Sequence, residues 1–130
     1  CSKAPRRFTE RMGTMTLRIT TARGVLAKAS EYVAGDRADA HGPAVENHAN
    51  IAHLWSGYLH DSLKDGVTLT PEDAANLMEL LKIARRKQGN FNADDYVDGA
   101  GYAGVAFECA YYENEKRRCN EAGKRDEEES

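Results

Sequence analysis

The chain is expected to be an all-α protein, folded as one bundle of four main helices. Along several segments, apolar residues recur at spacings of three and four, which is the period of an amphipathic helix. Gly-rich turns between alternating segments, which are typical of β-sheet proteins, do not occur, and the chain has only three prolines. Its 130 residues are enough for a single domain with an apolar core.

The first predicted helix runs from about residue 17 to residue 34 and is expected to contribute to the core. The polar segment 35–43 ends it, because this segment contains two glycines and a proline. The apolar stripe of the helix consists of Ile19, Ala22, Leu26, Ala29 and Val33.

The second predicted helix begins near Pro43, since proline is favourable in the first turn, and continues to about His60. Its apolar stripe is expected to be buried and its polar stripe to line a pocket. The apolar stripe is Ile51, Leu54 and Tyr58, and the polar stripe is Glu46, Asn50 and His53.

The third predicted helix has a well-defined start, with Thr70 as the N-cap, Pro71 at the first position and acids in the first turn. One face is broadly apolar and another is polar. The apolar face comprises Leu77, Leu80, Leu81 and Ala84, and the polar face comprises Asn76, Glu79, Lys82 and Arg86.

The fourth predicted helix follows a polar turn, with Gly89 capping the preceding helix and Asn92 or Asp94 capping the new one. Its glycines at positions 99, 101 and 104 each destabilise a helix interior by about 1 kcal/mol relative to alanine. We interpret them as sites where another helix approaches closely. The predicted organisation is a helical domain at 16–113, an N-terminal extension at 1–15 and a charged C-terminal tail at 114–130.

Composition excludes several classes of protein. The net charge is −3 and the basic residues are dispersed, so duplex nucleic acid is not the expected partner. No segment is apolar enough to span a bilayer. Three cysteines without C-x-x-C spacing argue against a zinc ribbon or a disulfide framework, and the expected compartment is a reducing cytoplasm. The histidines at 48 and 53 are five apart and do not share a helix face, so a histidine metal site is not expected.

Acidic residues on the third and fourth predicted helices suggest a site for a divalent cation. Asp95 and Asp98 are three apart and share a face, and Glu79 lies in an otherwise apolar segment. Glu46 on the second helix is a possible fourth ligand. The plainer alternative is that these acids form the solvated side of each helix, with Glu79 and Lys82 as an intrahelical pair that contributes about 0.2–0.5 kcal/mol.

The acids also resemble a known signature, E-x-x-E followed by a spacer and E-x-x-D, which marks the all-α nucleoside triphosphate pyrophosphohydrolases of the MazG-like superfamily. Here it stands as Glu79-Leu-Leu-Lys82, twelve residues, and Asp95-Tyr-Val-Asp98. Lys82 replaces the second glutamate of the signature, and Asp95 replaces the glutamate that follows the spacer. The wider segments, from about residue 20 to residue 112, are similar to the MazZ-type (d)GTP diphosphohydrolases of phages that carry 2-aminoadenine.

The resemblance implies hydrolysis of dGTP or GTP to the monophosphate and pyrophosphate, with two or three Mg²⁺ or Mn²⁺ ions and a dimeric or tetrameric assembly in the host cytoplasm. Glu79, Asp95, Asp98 and Glu46 would hold metal, and Glu46 or Glu79 would orient the attacking water. Lys82 would offset phosphate charge during catalysis. The substrate-binding candidates are Arg37, Asn50, Trp55, Lys82 and Arg85.

Two other functions are compatible with the same residues. A non-catalytic nucleotide-binding or regulatory protein would use Lys82 and Arg85 without needing a metal. A small structural or interaction protein would need only the helical faces. Single residues have plainer interpretations too, since Trp55 fits a core aromatic and Arg37 fits a solvated loop.

Overall fold

The computed structural model describes residues 18–35 and 43–129. In these residues the chain forms four α-helices and no β-strand, which confirms the predicted all-α class. Among the described helices, none is both long and apolar enough to cross a membrane. The helices are α1 (Ala22–Ala34), α2 (Ala44–Tyr58), α3 (Pro71–Arg86) and α4 (Ala93–Glu129).

Helix α4 is the axis of the fold, because each of the other three helices packs against it. Helices α3 and α4 form an antiparallel pair: Arg86 at the end of α3 contacts Asp95 at the start of α4, while Ala75 near the start of α3 packs in one cluster with Val105 and Cys109. Helix α2 packs against both members of this pair. Among the described helices, α1 packs only against α4.

The predicted start of α3 is confirmed by its hydrogen bonds. Thr70 Oγ1 accepts the Asp73 backbone N–H at 3.1 Å, and Asp73 Oδ2 accepts the Thr70 backbone N–H at 2.9 Å. This reciprocal pair is a capping box. The other end differs from the prediction, since Lys87 is the cap and Gly89 lies in the following turn with φ of 73°, a conformation that glycine adopts easily. Asn92 begins the next helix as predicted, because its Oδ1 accepts the Asp94 backbone N–H at 3.1 Å.

The core consists mainly of small side chains, and the predicted stripes of α1 and α2 are wrong in part. Leu26, Leu54 and Tyr58 are 63%, 61% and 89% exposed. The face of α2 that is buried instead carries His48 and Ala52, which are four residues apart and share one side of the helix. The larger residues Leu54 and Tyr58 lie on the outer side of the helix.

Helix α3 is oriented with its polar face inward, opposite to the simple amphipathic expectation. Leu77, Leu80 and Leu81 are 40%, 57% and 43% exposed. Of the predicted polar face, Glu79, Lys82 and Arg86 are partly buried, and Asn76 is exposed. Glu79 and Lys82 therefore face the rest of the fold, whereas Arg85 is exposed, and an apolar stripe faces outward.

Helix α4 continues further than the sequence pattern predicts. We expected a charged tail at 114–130, but the helix runs to Glu129, and residues 116–129 are all exposed. Ion pairs one turn apart support this segment, with Lys116 Nζ 3.9 Å from Glu113 Oε1 and Arg118 Nη1 3.2 Å from Glu115 Oε1. Residues with high helix propensity, rather than tertiary packing, therefore account for the helical structure of this segment.

Candidate functional site

A cleft of about 570 Å³ opens between α1, α2 and α4, with Met78 of α3 in its wall. Its size is within the range of small-molecule sites, and its lining combines apolar residues with a few polar groups. The polar and aromatic side chains that line it are Tyr32, Asn47, His48, Asp98, Tyr102 and Glu108.

An ion pair joins the two segments that carry the predicted signature. Lys82 Nζ on α3 lies 3.0 Å from Asp98 Oδ2 on α4, and the two side chains are only 13% and 12% exposed. Asp98 also lines the cleft. The antiparallel pairing of α3 and α4 thus brings the two halves of the signature into contact at the edge of the cleft.

The predicted acidic ligands are distributed more widely than the sequence suggested. Glu79 and Asp95 are half-buried and Glu46 is exposed. The backbone carbonyl of Asp95 accepts a hydrogen bond from Arg86 Nη2 at 3.3 Å. Within residues 18–35 and 43–129, no three His, Cys, Asp or Glu side chains form a group that could hold a metal ion. The assignment of these acids to metal stays a prediction.

The predicted substrate-binding residues do not line the cleft. Asn50 and Arg85 are exposed and Trp55 is half-buried, and none of the three is part of the cleft wall. Arg37 lies outside the described residues. On α2 the cleft is lined instead by Asn47 and Ile51, because the helix is rotated away from the face that carries Glu46, Asn50 and His53.

His48 is a cleft residue that sequence analysis missed as a binding candidate. It is 5% exposed, and its Nδ1 donates a hydrogen bond to the Ala44 carbonyl at 2.8 Å. Its Nε2 is buried and has no hydrogen-bond partner within the part of the chain that the structure describes. The spacing of Ala44, His48 and Ala52, each four residues from the next, is the signal that would have placed His48 on the inward face.

Arg86 anchors the end of α3 against the start of α4. Its guanidinium carbon lies 4.5 Å from the centroid of the Tyr96 ring, a cation–π geometry, while Nη2 donates to the Asp95 carbonyl. Gly99 makes room for this side chain, because a Cβ at that position would overlap Arg86 Nη2. The prediction of close approach at Gly99 is confirmed, but the approaching group is a cation. At Gly104, by contrast, a Cβ would point into open space among the described residues.

Cys109 is a core residue of α4. It is fully buried, and burial raises the pKa of its thiol, with further raising by the neighbouring carboxylates of Glu108, Glu72 and Glu113. A raised pKa disfavours the thiolate, so Cys109 is not suited to nucleophilic chemistry. Cys109 and the exposed Cys119 are both free thiols.

Comparison with known proteins identifies phage relatives. A family model described as "Domain of unknown function (DUF6378)" matches residues 24–110. The Gene 55 protein of Mycobacterium phage L5 is 46% identical over 92 residues, which cover 71% of this chain and 56% of the phage protein. The Gene 55 protein of Mycobacterium phage D29 is 41% identical over 80 residues, covering 62% of this chain and 49% of that protein. The chain thus spans about half the length of these curated relatives. No solved structure gives a significant match.

Proposed function

The chain belongs to the DUF6378 family, and we propose that it is a nucleoside triphosphate pyrophosphohydrolase of phage nucleotide metabolism. The proposed reaction cleaves dGTP or GTP to the monophosphate and pyrophosphate. Its sequence support is the resemblance of the Glu79-to-Lys82 and Asp95-to-Asp98 segments to the signature of the MazG-like enzymes. The proposal also places the reaction in the host cytoplasm, where nucleotides are available.

The observation that carries the proposal is the contact between Lys82 and Asp98. Because their charged atoms lie 3.0 Å apart, the two signature segments face each other on adjacent helices. Asp98 belongs to the cleft wall, so this charged pair borders a space of about 570 Å³. A triphosphate whose nucleoside occupied the cleft could extend its phosphates toward the Lys82 ammonium group and the Asp98 carboxylate.

The carboxylates of α3 and α4 suit a metal ion that binds together with the nucleotide. Mg²⁺ commonly keeps several waters and binds one or two carboxylates together with substrate phosphates, so it does not need a cage formed by protein alone. Asp98 and Glu79 are the first candidates, because both are partly buried on facing helices. Asp95 and Glu46 would be additional ligands for Mg²⁺ or Mn²⁺. When bound, the ion would neutralise phosphate charge and acidify the attacking water.

The residues of the chain have distinct proposed tasks in the reaction. A water oxygen attacks the α-phosphorus, the bond from this phosphorus to the α–β bridging oxygen breaks, and pyrophosphate leaves. Glu79 is the better placed of the two base candidates to take the proton from water, because it lies on the inward face of α3 while Glu46 is exposed. Lys82 would exchange its contact with Asp98 for a phosphate oxygen. Arg85, in the last turn of α3, would add positive charge.

A product assay tests this function. The purified protein is incubated with each dNTP and with GTP in Mg²⁺ or Mn²⁺, and the products are separated by anion exchange. We expect monophosphate and pyrophosphate in equal amounts, with dGTP and GTP preferred. The Glu79→Gln variant should lower kcat by about 100-fold or more, as expected for loss of a general base. The matched control Glu31→Gln, at an exposed residue of α1, should leave turnover unchanged. Orthophosphate alone, or no turnover with any nucleotide, would contradict the proposal.

A second candidate function is nucleotide binding without catalysis. It is favoured by the same ion pair, because Asp98 is already neutralised by Lys82 and so has less need of a metal ion. Binding that persists unchanged in EDTA, with no product formed, would identify this function. A purely structural protein would instead show no rise in melting temperature with any nucleotide.

The proposal includes assembly as a dimer or tetramer. The outward stripe of α3, formed by Leu77, Leu80 and Leu81, is apolar and 40% to 57% exposed, which is unusual for a surface that contacts only water. Sedimentation equilibrium should give a mass of at least twice 14.4 kDa. Leu80→Lys should shift the protein toward the monomer, and Asn120→Lys, at an exposed position near the end of α4, should not. A monomeric wild-type protein at all concentrations would exclude this assembly.

A further inference from the structure

The sides of α1 and α2 that border the cleft carry large apolar side chains. Among the described residues these two helices make no contact with each other. On α1, Val33 lines the cleft and Leu26 lies on the same side, because the two residues are seven apart. On α2, Ile51 lines the cleft, and Leu54 and Tyr58 continue its side at spacings of three and seven residues. We call the space that these five residues border the α1/α2 groove.

The α1/α2 groove is exposed along both of its borders. Leu26, Leu54 and Tyr58 are 63%, 61% and 89% exposed. Single exposed apolar residues are ordinary, but apolar residues aligned on both borders of a groove are typical of an interaction site. A groove between two helices accepts the apolar face of a third helix, whose contacts recur at spacings of three and four. The composition of the groove therefore indicates a helical partner.

The chain itself presents a helix face that matches the groove. This face is the outward stripe of α3, which is exposed and has the required spacing. The end of α4 matches less well, because residues 116–129 have no apolar stripe. Phe107 and Tyr111 of α4 are also exposed, but they span a single turn and stack on each other, with ring centroids 6.1 Å apart. The α3 stripe consists of Leu77, Leu80 and Leu81.

The charges of the groove and of the α3 stripe are opposite. Among the described residues that line the cleft, the charged ones are Asp98 and Glu108, and both are acidic. Asp98 is paired with Lys82, and Glu108 is exposed. On α3, Arg85 is exposed and follows Leu81 by four residues, so it lies on the same side of the helix. The α3 stripe thus ends in a cation, which complements the acidic lining of the groove.

Helices α1 and α4 run in the same direction along the groove. Val25 and Tyr96 line one small pocket near the start of the two helices, and Val33 Cγ2 lies 3.7 Å from the position of a Cβ on Gly101. Glu108 is seven residues further along α4, which corresponds to about 10 Å. The acid therefore lies beyond the Val33 end of the groove.

The length of the α3 stripe agrees with this arrangement. From Leu77 to Arg85, α3 rises by about 12 Å, and from Leu26 to Val33, α1 rises by about 10 Å. An α3 helix that lies along α1 in the same direction therefore places its leucines between the apolar borders and its arginine toward Glu108.

We propose that the α1/α2 groove of one copy receives the α3 stripe of a second copy, with Arg85 of the second copy against Glu108 of the first. The inference rests on the assembly proposed above and names the surface that buries the stripe. Two different faces meet in this contact, so it is heterologous, and a reciprocal exchange between two copies gives a closed dimer. Arg85, which does not line the cleft of its own chain, thereby reaches the edge of the cleft of the other copy.

A lysine in the groove tests the docking surface, and sedimentation equilibrium of the full chain gives the Kd of the dimer. Leu54→Lys should raise Kd by about tenfold or more, as should Leu80→Lys, because each places a charge in the same apolar contact. The control His53→Lys, at the neighbouring exposed position of α2 but off the groove side, should stay within about threefold of the wild-type Kd. A wild-type Kd for Leu54→Lys, in a chain that circular dichroism shows to be folded, overturns the inference.

An exchange of charges tests the pairing of Arg85 with Glu108. Glu108→Arg and Arg85→Glu should each raise Kd by about tenfold, because each brings like charges together at two contacts per dimer. The double variant Glu108→Arg/Arg85→Glu restores opposite charges and should return to within about threefold of the wild-type Kd. No recovery in the folded double variant overturns the inference. Where a charge variant does not fold, Leu54→Lys decides.

The outcomes separate this inference from the proposed reaction. Pyrophosphate release by a wild-type protein that stays monomeric leaves the pyrophosphohydrolase standing and overturns the docking of α3. A dimer that Leu80→Lys dissociates and Leu54→Lys does not leaves the assembly standing and removes the groove from it. Recovery of the dimer by the double charge variant, without turnover of any nucleotide, supports the inference and contradicts the reaction.

Discussion

Lys82 Nζ on α3 and Asp98 Oδ2 on α4 lie 3.0 Å apart, in side chains that are 13% and 12% exposed. Lys82 occupies the place where the resembled signature has a carboxylate. The lysine therefore changes the electrostatics of the helix pair, because it neutralises an acid on the facing helix instead of adding a like charge. This pair links α3 to α4 at the edge of the cleft.

Breaking the Lys82–Asp98 pair on one side should strongly destabilise the fold. Each of Lys82→Met and Asp98→Asn should lower the free energy of unfolding by about 3 kcal/mol, because the remaining partner is left in a largely buried position. The double variant Lys82→Met/Asp98→Asn, made from the same two substitutions, should lose less than the sum of the singles. Urea denaturation at one protein concentration measures all of these. Glu31→Gln, which removes the exposed pair with Lys28, should change stability by less than about 0.5 kcal/mol. Additive losses in the double variant would contradict the coupling.

Replacing either of two glycines of α4 by alanine should change the free energy of unfolding, but in opposite directions. Gly99→Ala places a methyl group against the Arg86 guanidinium and separates it from the Asp95 carbonyl, so we expect a loss of about 1 kcal/mol despite better helix propensity. Gly104→Ala has open space and should gain up to about 1 kcal/mol. Thermal unfolding followed by circular dichroism compares the two. A stabilised Gly99→Ala would show that Arg86 moves aside without loss.

The buried thiol of Cys109 should react slowly with thiol reagents and make stability depend on alkaline pH. Its folded-state pKa is raised by burial first, so the folded protein keeps the proton while the unfolded thiol ionises above about pH 8.5. The folded state then binds more protons, and stability falls as pH rises through this range. The Cys109→Ala variant should lose that part of the slope, measured by urea denaturation between pH 7 and pH 10.

Thiol titration tests the difference in exposure between Cys109 and Cys119. In a native reaction with a disulfide reagent at pH 8, Cys119→Ser should remove one fast-reacting thiol, since Cys119 is exposed. Cys109→Ser should leave the number of fast-reacting thiols unchanged as long as the variant is folded. A fast-reacting Cys109 would show that its surroundings open readily.

The cap at the start of α3 should stabilise the helix that carries Glu79 and Lys82. Thr70→Ala removes the acceptor for the Asp73 N–H and should lower the free energy of unfolding by about 1 kcal/mol. Thr70→Ser keeps that acceptor and should stay within about 0.5 kcal/mol of wild type. Thr68→Ala, two residues earlier and exposed, is the matched control and should have no effect. Guanidinium denaturation monitored at 222 nm gives the three values.

Local features were the most predictable part of the fold. The start of α3 followed from Thr70, Pro71 and two acids, because capping depends on residues within one turn. Asn92 began α4 for the same reason. The helical continuation of α4 beyond Glu113 was missed, because residues 116–129 are all exposed and offer no apolar stripe that periodicity could detect.

The faces of the helices were harder to predict. On α3 the leucines were expected inside, yet Leu80 is 57% exposed and Lys82 is nearly buried. Periodicity shows that a helix has two different faces, but it does not say whether the apolar one meets this chain or another surface. His48 was missed for a related reason, because its face of α2 consists of alanines, which contribute little to an apolar pattern.

By itself, the sequence determined the all-helical class, the positions where α3 and α4 begin and the acidic segments that these helices carry, because each of these depends on neighbours within a few residues. Only the tertiary structure decided that Lys82 pairs with Asp98, that Gly99 receives Arg86 and that His48 lines a cleft. These relationships depend on the rotation of each helix about its axis. That rotation is set by how closely the small residues of α2, α3 and α4 allow the helices to pack.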